Sequence, residues 1–122
     1  MPSEDAHVTQ AYANARFLDW ISQPPLRHPD WVITAAFYTA LHLADAYLAR
    51  EGAPHWKEHP KRNAEVARRI PVIATEYQDL YIASRRARYD CGPVSPDEAH
   101  DQLKDNYEPV RTHICGLLGI EV

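Results

Sequence analysis

Cysteine and glycine are scarce in this sequence of 122 residues, which contains two cysteines and four glycines. Cys91 and Cys115 form no CxxC pair, which excludes a disulfide framework and a four-sulfur zinc site. We therefore expect reduced thiols in a cytoplasmic protein. The glycines are too scattered to build a phosphate-binding loop or a GxSxG nucleophile elbow. NTPase and acyl-transfer functions are accordingly not expected.

A long apolar run and a surplus of positive charge are also absent. No stretch of about 18 apolar residues occurs, and the acidic N-terminal segment has no secretion-signal pattern, so we expect no membrane association. The formal net charge of −4 argues against a protein that coats nucleic acid without specificity. A local basic surface remains open, with a solvated helix face as the alternative, because arginines cluster in the middle of the chain: Arg62, Arg68, Arg69, Arg85, Arg86 and Arg88.

The ten prolines divide the chain into segments that each have helical periodicity. The chain length suits one packed domain, which we expect to span residues 1–122. Asp30 is the expected N-cap of the second helix, and Pro109 is expected to bend the last one. The predicted helices cover residues 3–22, 31–50, 61–70, 72–90 and 95–118. The sequence therefore predicts an all-α, up-and-down bundle of four to five helices.

The second predicted helix is apolar around most of its circumference but carries one narrow polar stripe. Thr34, Tyr38, His42 and Asp45 fall on one face because they are spaced by four, four and three residues. Asp45 lies one turn beyond His42, where a carboxylate can orient an imidazole or hold its proton for acid/base chemistry. The alternative is a hydrogen-bonded network that only specifies the packing of the bundle or of a subunit interface.

The fourth predicted helix has two polar residues, Ser84 and Arg88, on its core-facing side. A buried arginine needs a partner or a polar cavity to offset its desolvation, and Asp45 is the natural candidate. The alternative is that Arg88 extends to water along its apolar stem. Arg85 lies at the edge of the same face, whereas Arg86 points outward.

The segment 53–60 is an expected loop that contains His55 and His59. A spacing of four residues binds metal on a helix, but Pro54 and Pro60 make this segment irregular and no HExxH pattern accompanies it. We therefore predict no metal site and no cofactor. The loop histidines would instead cover a pocket over the polar stripe or cap the next helix. The candidate ligand-binding residues are His55, His59, Arg62 and Asn63.

Three segments of the chain resemble the HEPN superfamily, in particular its uncharacterised bacterial HEPN-like members. They are Asp30–His42, Asp45–Leu48 and Ser84–Tyr89. The resemblance covers about residues 12 to 110. It implies a helical bundle that commonly forms a homodimer. In this family the active members cut RNA without a metal ion, and others bind nucleotides or act as toxin–antitoxin partners.

In the RNA-cutting members of that family, an arginine is followed four to six residues later by a histidine. Only Arg50 and His55 have this spacing here, and the pair crosses Gly52 and Pro54 instead of lying on a helix. A displaced version of the site would use His42 as the base on the ribose 2′-hydroxyl. Arg85 or Arg88 would stabilise the charge of the pentavalent phosphate.

Two functional hypotheses follow from the sequence. The first is a metal-independent ribonuclease or toxin-like enzyme, with catalytic residues His42, Arg85 and Arg88 supported by Tyr38, Asp45 and Ser84. The second is a non-catalytic dimeric module that binds a nucleotide or a protein such as an antitoxin in the same polar groove. Both require the polar faces of the second and fourth helices to meet.

Overall fold

The computed structural model describes residues 2–122, which form a bundle of five helices without a β-strand; Met1, the first residue of the predicted domain, lies outside this range. Helix α1 is Glu4–Ile21, α2 is Pro29–Arg50, α3 is His59–Arg69 and α4 is Ala74–Tyr89. Helix α5 comprises three consecutive stretches, Pro96–Gln102, the π-helical turn Leu103–Tyr107, and Glu108–Leu118. The predicted all-α class is confirmed.

Helix α2 is the centre of the bundle and packs against α1, α4 and α5. Its length and hydropathy would allow it to cross a membrane, but most of its apolar segment is buried inside the bundle. Phe37 and Leu43 are fully enclosed. The apolar character of α2 is therefore explained by contacts with neighbouring helices on several sides.

The helix ends follow the expected chemistry with one correction. Ser3 caps α1 by accepting a hydrogen bond from the Ala6 amide at 3.1 Å, and Ser95 caps α5 in the same way with Glu98 at 3.1 Å. Asp30 is not the N-cap of α2. The helix begins at Pro29, so Asp30 lies in the first turn, where its carboxylate interacts favourably with the positive end of the helix dipole.

Two prolines shape the second half of the bundle. Pro71 starts a 3₁₀ turn, Pro71–Ile73, that separates α3 from α4. In α5 the π-helical turn Leu103–Tyr107 immediately precedes Pro109, where the sequence predicts a bend. Proline has no amide hydrogen for the preceding turn and its ring crowds the carbonyl four residues earlier, so the wider π turn accommodates it without ending the helix.

Candidate functional site

The polar faces of α2 and α4 meet at Tyr38 and Arg88. The Arg88 guanidinium donates through Nη1 to the Tyr38 hydroxyl at 2.6 Å and through Nε to the Ser84 carbonyl at 3.2 Å. The remaining nitrogen, Nη2, is buried and has no hydrogen-bond partner among residues 2–122. Within the same range no carboxylate forms an ion pair with Arg88. Arg88 therefore contributes an uncompensated positive charge with a free donor.

The other predicted residues of α4 have different surroundings. The Ser84 hydroxyl is fully buried and donates to the Tyr81 carbonyl of its own helix at 2.9 Å, so it serves packing. Arg85 is exposed, and its guanidinium lies 5.4 Å from the centre of the Tyr89 ring, against which Arg88 also packs at 5.0 Å. Arg86 points outward, as expected, and pairs with Glu98. Two guanidinium groups thus share one exposed aromatic ring.

His42 is bonded to a histidine of α1 and not to Asp45. The Nδ1 atoms of His7 and His42 are 3.0 Å apart, and His7 is only 4% exposed. Burial lowers the pKa of both imidazoles, and His7 lowers the pKa of His42 further. Both rings are therefore neutral near pH 7, and one ring must donate a hydrogen to the other.

Asp45 pairs with Arg62 of α3, which corrects both roles predicted for this carboxylate. Nε of Arg62 donates to the two carboxylate oxygens at 2.9 and 3.2 Å, and both side chains are almost completely buried. The Arg62 guanidinium also lies 3.4 Å from Nδ1 of His59. Asp45 is therefore neither the orienting partner of His42 nor the counterion of Arg88. The pair fixes α3 against α2.

The two histidines predicted in the loop, His55 and His59, lie in different surroundings. The ring of His55 stacks on His7 with 5.9 Å between ring centres. His59 is the first residue of α3, not part of the loop, and packs against Phe37 and Tyr81. They therefore do not form a common lid. Asn63, the fourth predicted ligand-binding residue, has a buried Oδ1 without a hydrogen-bond partner among residues 2–122.

Arg50, the arginine that has the HEPN-like spacing to His55, lies in a structural cluster. Arg50 forms an ion pair with Glu4 at 2.8 Å and donates to the carbonyls of Leu117 and Leu118. These bonds tie the start of α1 and the end of α5 to the end of α2. Arg50 is thereby engaged away from His55, whose ring packs on His7.

A groove between α1 and α2 brings solvent to the polar stripe. Its volume is about 320 Å³, and Tyr38 and His42 line it. Phe17 and Trp31, which are 45% and 56% exposed, form aromatic walls. The remaining lining residues are Gln10, Asn14, Thr34 and Ala35. An imidazole, a phenol and two amide side chains therefore face one accessible space between aromatic rings.

Sequence reasoning did not find His7, although a signal was present. His7 precedes Ala11 by four residues and Leu18 by eleven, which places it on the buried side of α1. A histidine in that position must meet a polar partner inside the bundle. Its partner is on another helix, so sequence spacing alone could not identify it.

Comparison of the chain with models of known protein families, with curated proteins and with solved structures gives no match. Its function is therefore argued from the geometry of the site.

Acidification is expected to destabilise the fold already at pH values above those at which carboxylates titrate. Burial lowers the pKa of His7, His42 and His59, and it outweighs the opposite effect of Asp45. The unfolded chain consequently binds more protons below the ordinary histidine pKa of about 6.5, and stability present at neutral pH is lost towards about pH 5. Thermal melts in chelator-containing buffer should show a falling Tm. His42→Gln should weaken the dependence of Tm on pH, whereas His100→Ala, a change at an exposed histidine, should not. Equal slopes of Tm against pH in the unmodified protein and both variants would contradict the assignment of the effect to the buried histidines.

Proposed function

We propose that this chain is a HEPN-like protein that cleaves RNA without a metal ion, in the groove between α1 and α2. One observation carries the proposal: the Tyr38 hydroxyl, which is bonded to Arg88, lies one helical turn from His42 along the same groove. His42 lines the groove, whereas the Arg88 guanidinium does not line it and is connected to it through Tyr38. Transfer of a phosphate ester to a neighbouring hydroxyl requires a base and positive charge near the phosphate.

His42 is the proposed base. Its Nδ1 is occupied by His7, whereas its Nε2 has no hydrogen-bond partner among residues 2–122. When Nδ1 of His42 donates its hydrogen to His7, Nε2 carries a lone pair. The lowered pKa keeps the ring neutral near pH 7. His42 would then accept the proton of a ribose 2′-hydroxyl.

Arg88 is the proposed source of positive charge, acting on the phosphate through the Tyr38 hydroxyl, with Arg85 as a second positive charge near it. The 2′-oxygen attacks the phosphorus and the bond to the 5′-oxygen breaks, so negative charge grows on the phosphate oxygens. Nη2 of Arg88 is buried, so the Tyr38 hydroxyl, which is held at 2.6 Å from Nη1, would be the group that donates to these oxygens. Charge-assisted bonds of this kind stabilise the pentavalent phosphate more strongly than neutral ones.

The groove walls suit a single-stranded substrate. Phe17 and Trp31 offer exposed aromatic faces on which bases can stack, and Gln10 and Asn14 offer amide donors and acceptors. Such contacts fit an unpaired loop better than a duplex, because stacking requires bases that have left the helix. We therefore propose single-stranded RNA as the substrate class.

The test is incubation of purified protein with structured and unstructured RNA in chelator. The proposed reaction leaves a 2′,3′-cyclic phosphate and a 5′-hydroxyl, and a 2′-deoxy sugar at the cut site should abolish it. Arg88→Ala should slow cleavage about 100-fold, because the Tyr38 hydroxyl loses the positive charge that supports it as a donor to the developing oxyanion. Arg86→Ala, on the outer face of the same helix, should leave the rate unchanged. Intact RNA, or equal rates in the two variants, would reject the proposal.

A second function, binding of nucleotide or of an antitoxin-like protein by a non-catalytic homodimer, is favoured by another observation. Large aromatic side chains are exposed on α1 and at the start of α2: Tyr12, Phe17, Trp20 and Trp31. Clustered exposed aromatics are typical of surfaces that bind partners. Sedimentation would distinguish this function from RNA cleavage. If the protein is a non-catalytic homodimer, Trp20→Ser should yield monomers, and neither the unmodified protein nor its variants should cleave RNA.

A further inference from the structure

A small cavity, separate from the groove, is lined by His7 but not by His42. It is enclosed by the start of α1, by α2 and by the loop 53–58, and its volume is about 10 Å³. This is room for about one water molecule or one ion. The polar lining residues are His7, Asp45, His55 and Arg62, the last of which is paired with the carboxylate, and Leu48 and Trp56 contribute apolar walls.

The donor atoms around this cavity converge. His7, Asp45 and His55 each offer one nitrogen or oxygen atom, and the three atoms lie within 4.8 Å of one another. The corresponding ligand–ligand distance around a tetrahedral zinc ion is about 3.4 Å. Binding would therefore draw the three side chains closer together, and His55 lies in the loop between α2 and α3, outside any helix. Two imidazoles and one carboxylate are a donor set that zinc prefers.

We propose that this cavity binds one divalent transition-metal ion of the zinc type through His7, His55 and Asp45. The loop pair His55 and His59, considered from the sequence, is not the pair that converges. Two of the ligands are instead distant in sequence from His55. The ion would therefore join the start of α1, the middle of α2 and the loop before α3.

The surroundings of the three ligands suit this role. Nδ1 of His7 is engaged with His42, so His7 would bind the ion through Nε2 while Nδ1–H donates to His42. Metal-binding histidines usually give their second N–H to such a partner, and metal-binding carboxylates are usually hydrogen-bonded themselves. Arg62 supplies the bond to Asp45. The site is also separate from Nε2 of His42, the atom assigned to RNA cleavage.

The test is a titration of chelator-stripped full-length protein with Zn²⁺ alone, followed by calorimetry and thermal melts. We expect one ion per chain and a Tm that rises with Zn²⁺ concentration. His55→Ala removes a ligand from a loop and should leave the fold intact, as circular dichroism can verify. It should weaken binding at least about 100-fold, since changes to the residues behind a ligand already cost up to that factor.

His100→Ala, a change at an exposed histidine of α5, is the matched control and should bind like the unmodified protein. Co²⁺ offers a second readout, because its visible absorption in a tetrahedral site should be present in the control and lost in His55→Ala. Absence of one-to-one binding at micromolar Zn²⁺, or equal binding by His55→Ala and the control, would overturn the proposal. Neither readout depends on RNA, so the result is independent of the cleavage experiment.

Discussion

Replacement of Arg62 by alanine is expected to lower the free energy of unfolding by about 3–5 kcal/mol. This is the largest stability effect that we expect from the loss of one buried polar side chain. Arg62 and Asp45 are buried together, with Nε of the arginine 2.9 Å from the carboxylate. Removal of the guanidinium leaves a negative charge inside the bundle without a partner or sufficient water. Urea unfolding monitored by circular dichroism measures the loss.

The size of the effect should depend on the charge that remains and not on the bond that is removed. The double variant Arg62→Met with Asp45→Leu removes both charges, and we expect it to recover most of the stability. Arg68→Ala is the matched control on the same helix, because Arg68 is 64% exposed and its ion pair with Glu65 is a surface pair. If Arg62→Ala proved as mild as Arg68→Ala, the carboxylate would have another partner in solution.

Replacement of His42 by alanine is expected to slow RNA cleavage about 100- to 10 000-fold, the usual contribution of a positioned general base. His42 is the imidazole that lines the groove between α1 and α2, and its Nδ1 is 3.0 Å from Nδ1 of His7. The ring is only half-buried, so its loss should leave the fold intact. Single-turnover rates on a fluorescent RNA, in chelator, measure the effect.

His7 should behave differently from His42 in the same assay. It is almost fully buried and touches the substrate groove only through His42, so it is a positioning residue. His7→Asn retains a hydrogen-bonding side chain, and we expect a smaller loss of kcat together with a shifted pH–rate profile. His100→Ala should cleave at the unmodified rate. Wild-type cleavage by His42→Ala would refute the assignment of the base.

The fold could be predicted from the sequence because its signals are local. The ten prolines and the apolar character of α2 around most of its circumference indicate the helices without reference to distant residues. Pro109 predicted a bend in α5, but it could not predict the π-helical turn that precedes it. These features depend on neighbours within one or two helical turns.

The partners within the site could not be predicted, because they depend on how the helices pack. The helical wheel placed Tyr38 and Arg88 on facing sides, and they meet at 2.6 Å. The helical wheel could not show that Asp45 pairs with Arg62 of α3 and not with His42 or Arg88, the two partners expected for it. Spacing by one helical turn identifies residues that share one face of a helix. Burial and distance decide which arginine of another helix pairs with such a residue.

The contact between His7 and His42 has a further consequence for how the two proposed sites affect each other. Only one hydrogen can lie between two neutral Nδ1 atoms, so the tautomer of one ring determines that of the other. Abstraction of a proton in the groove requires the hydrogen on His42, whereas an ion bound by Nε2 of His7 requires it on His7. We therefore expect an ion at the proposed metal site to slow the proposed cleavage, because the two depend on a single shared hydrogen.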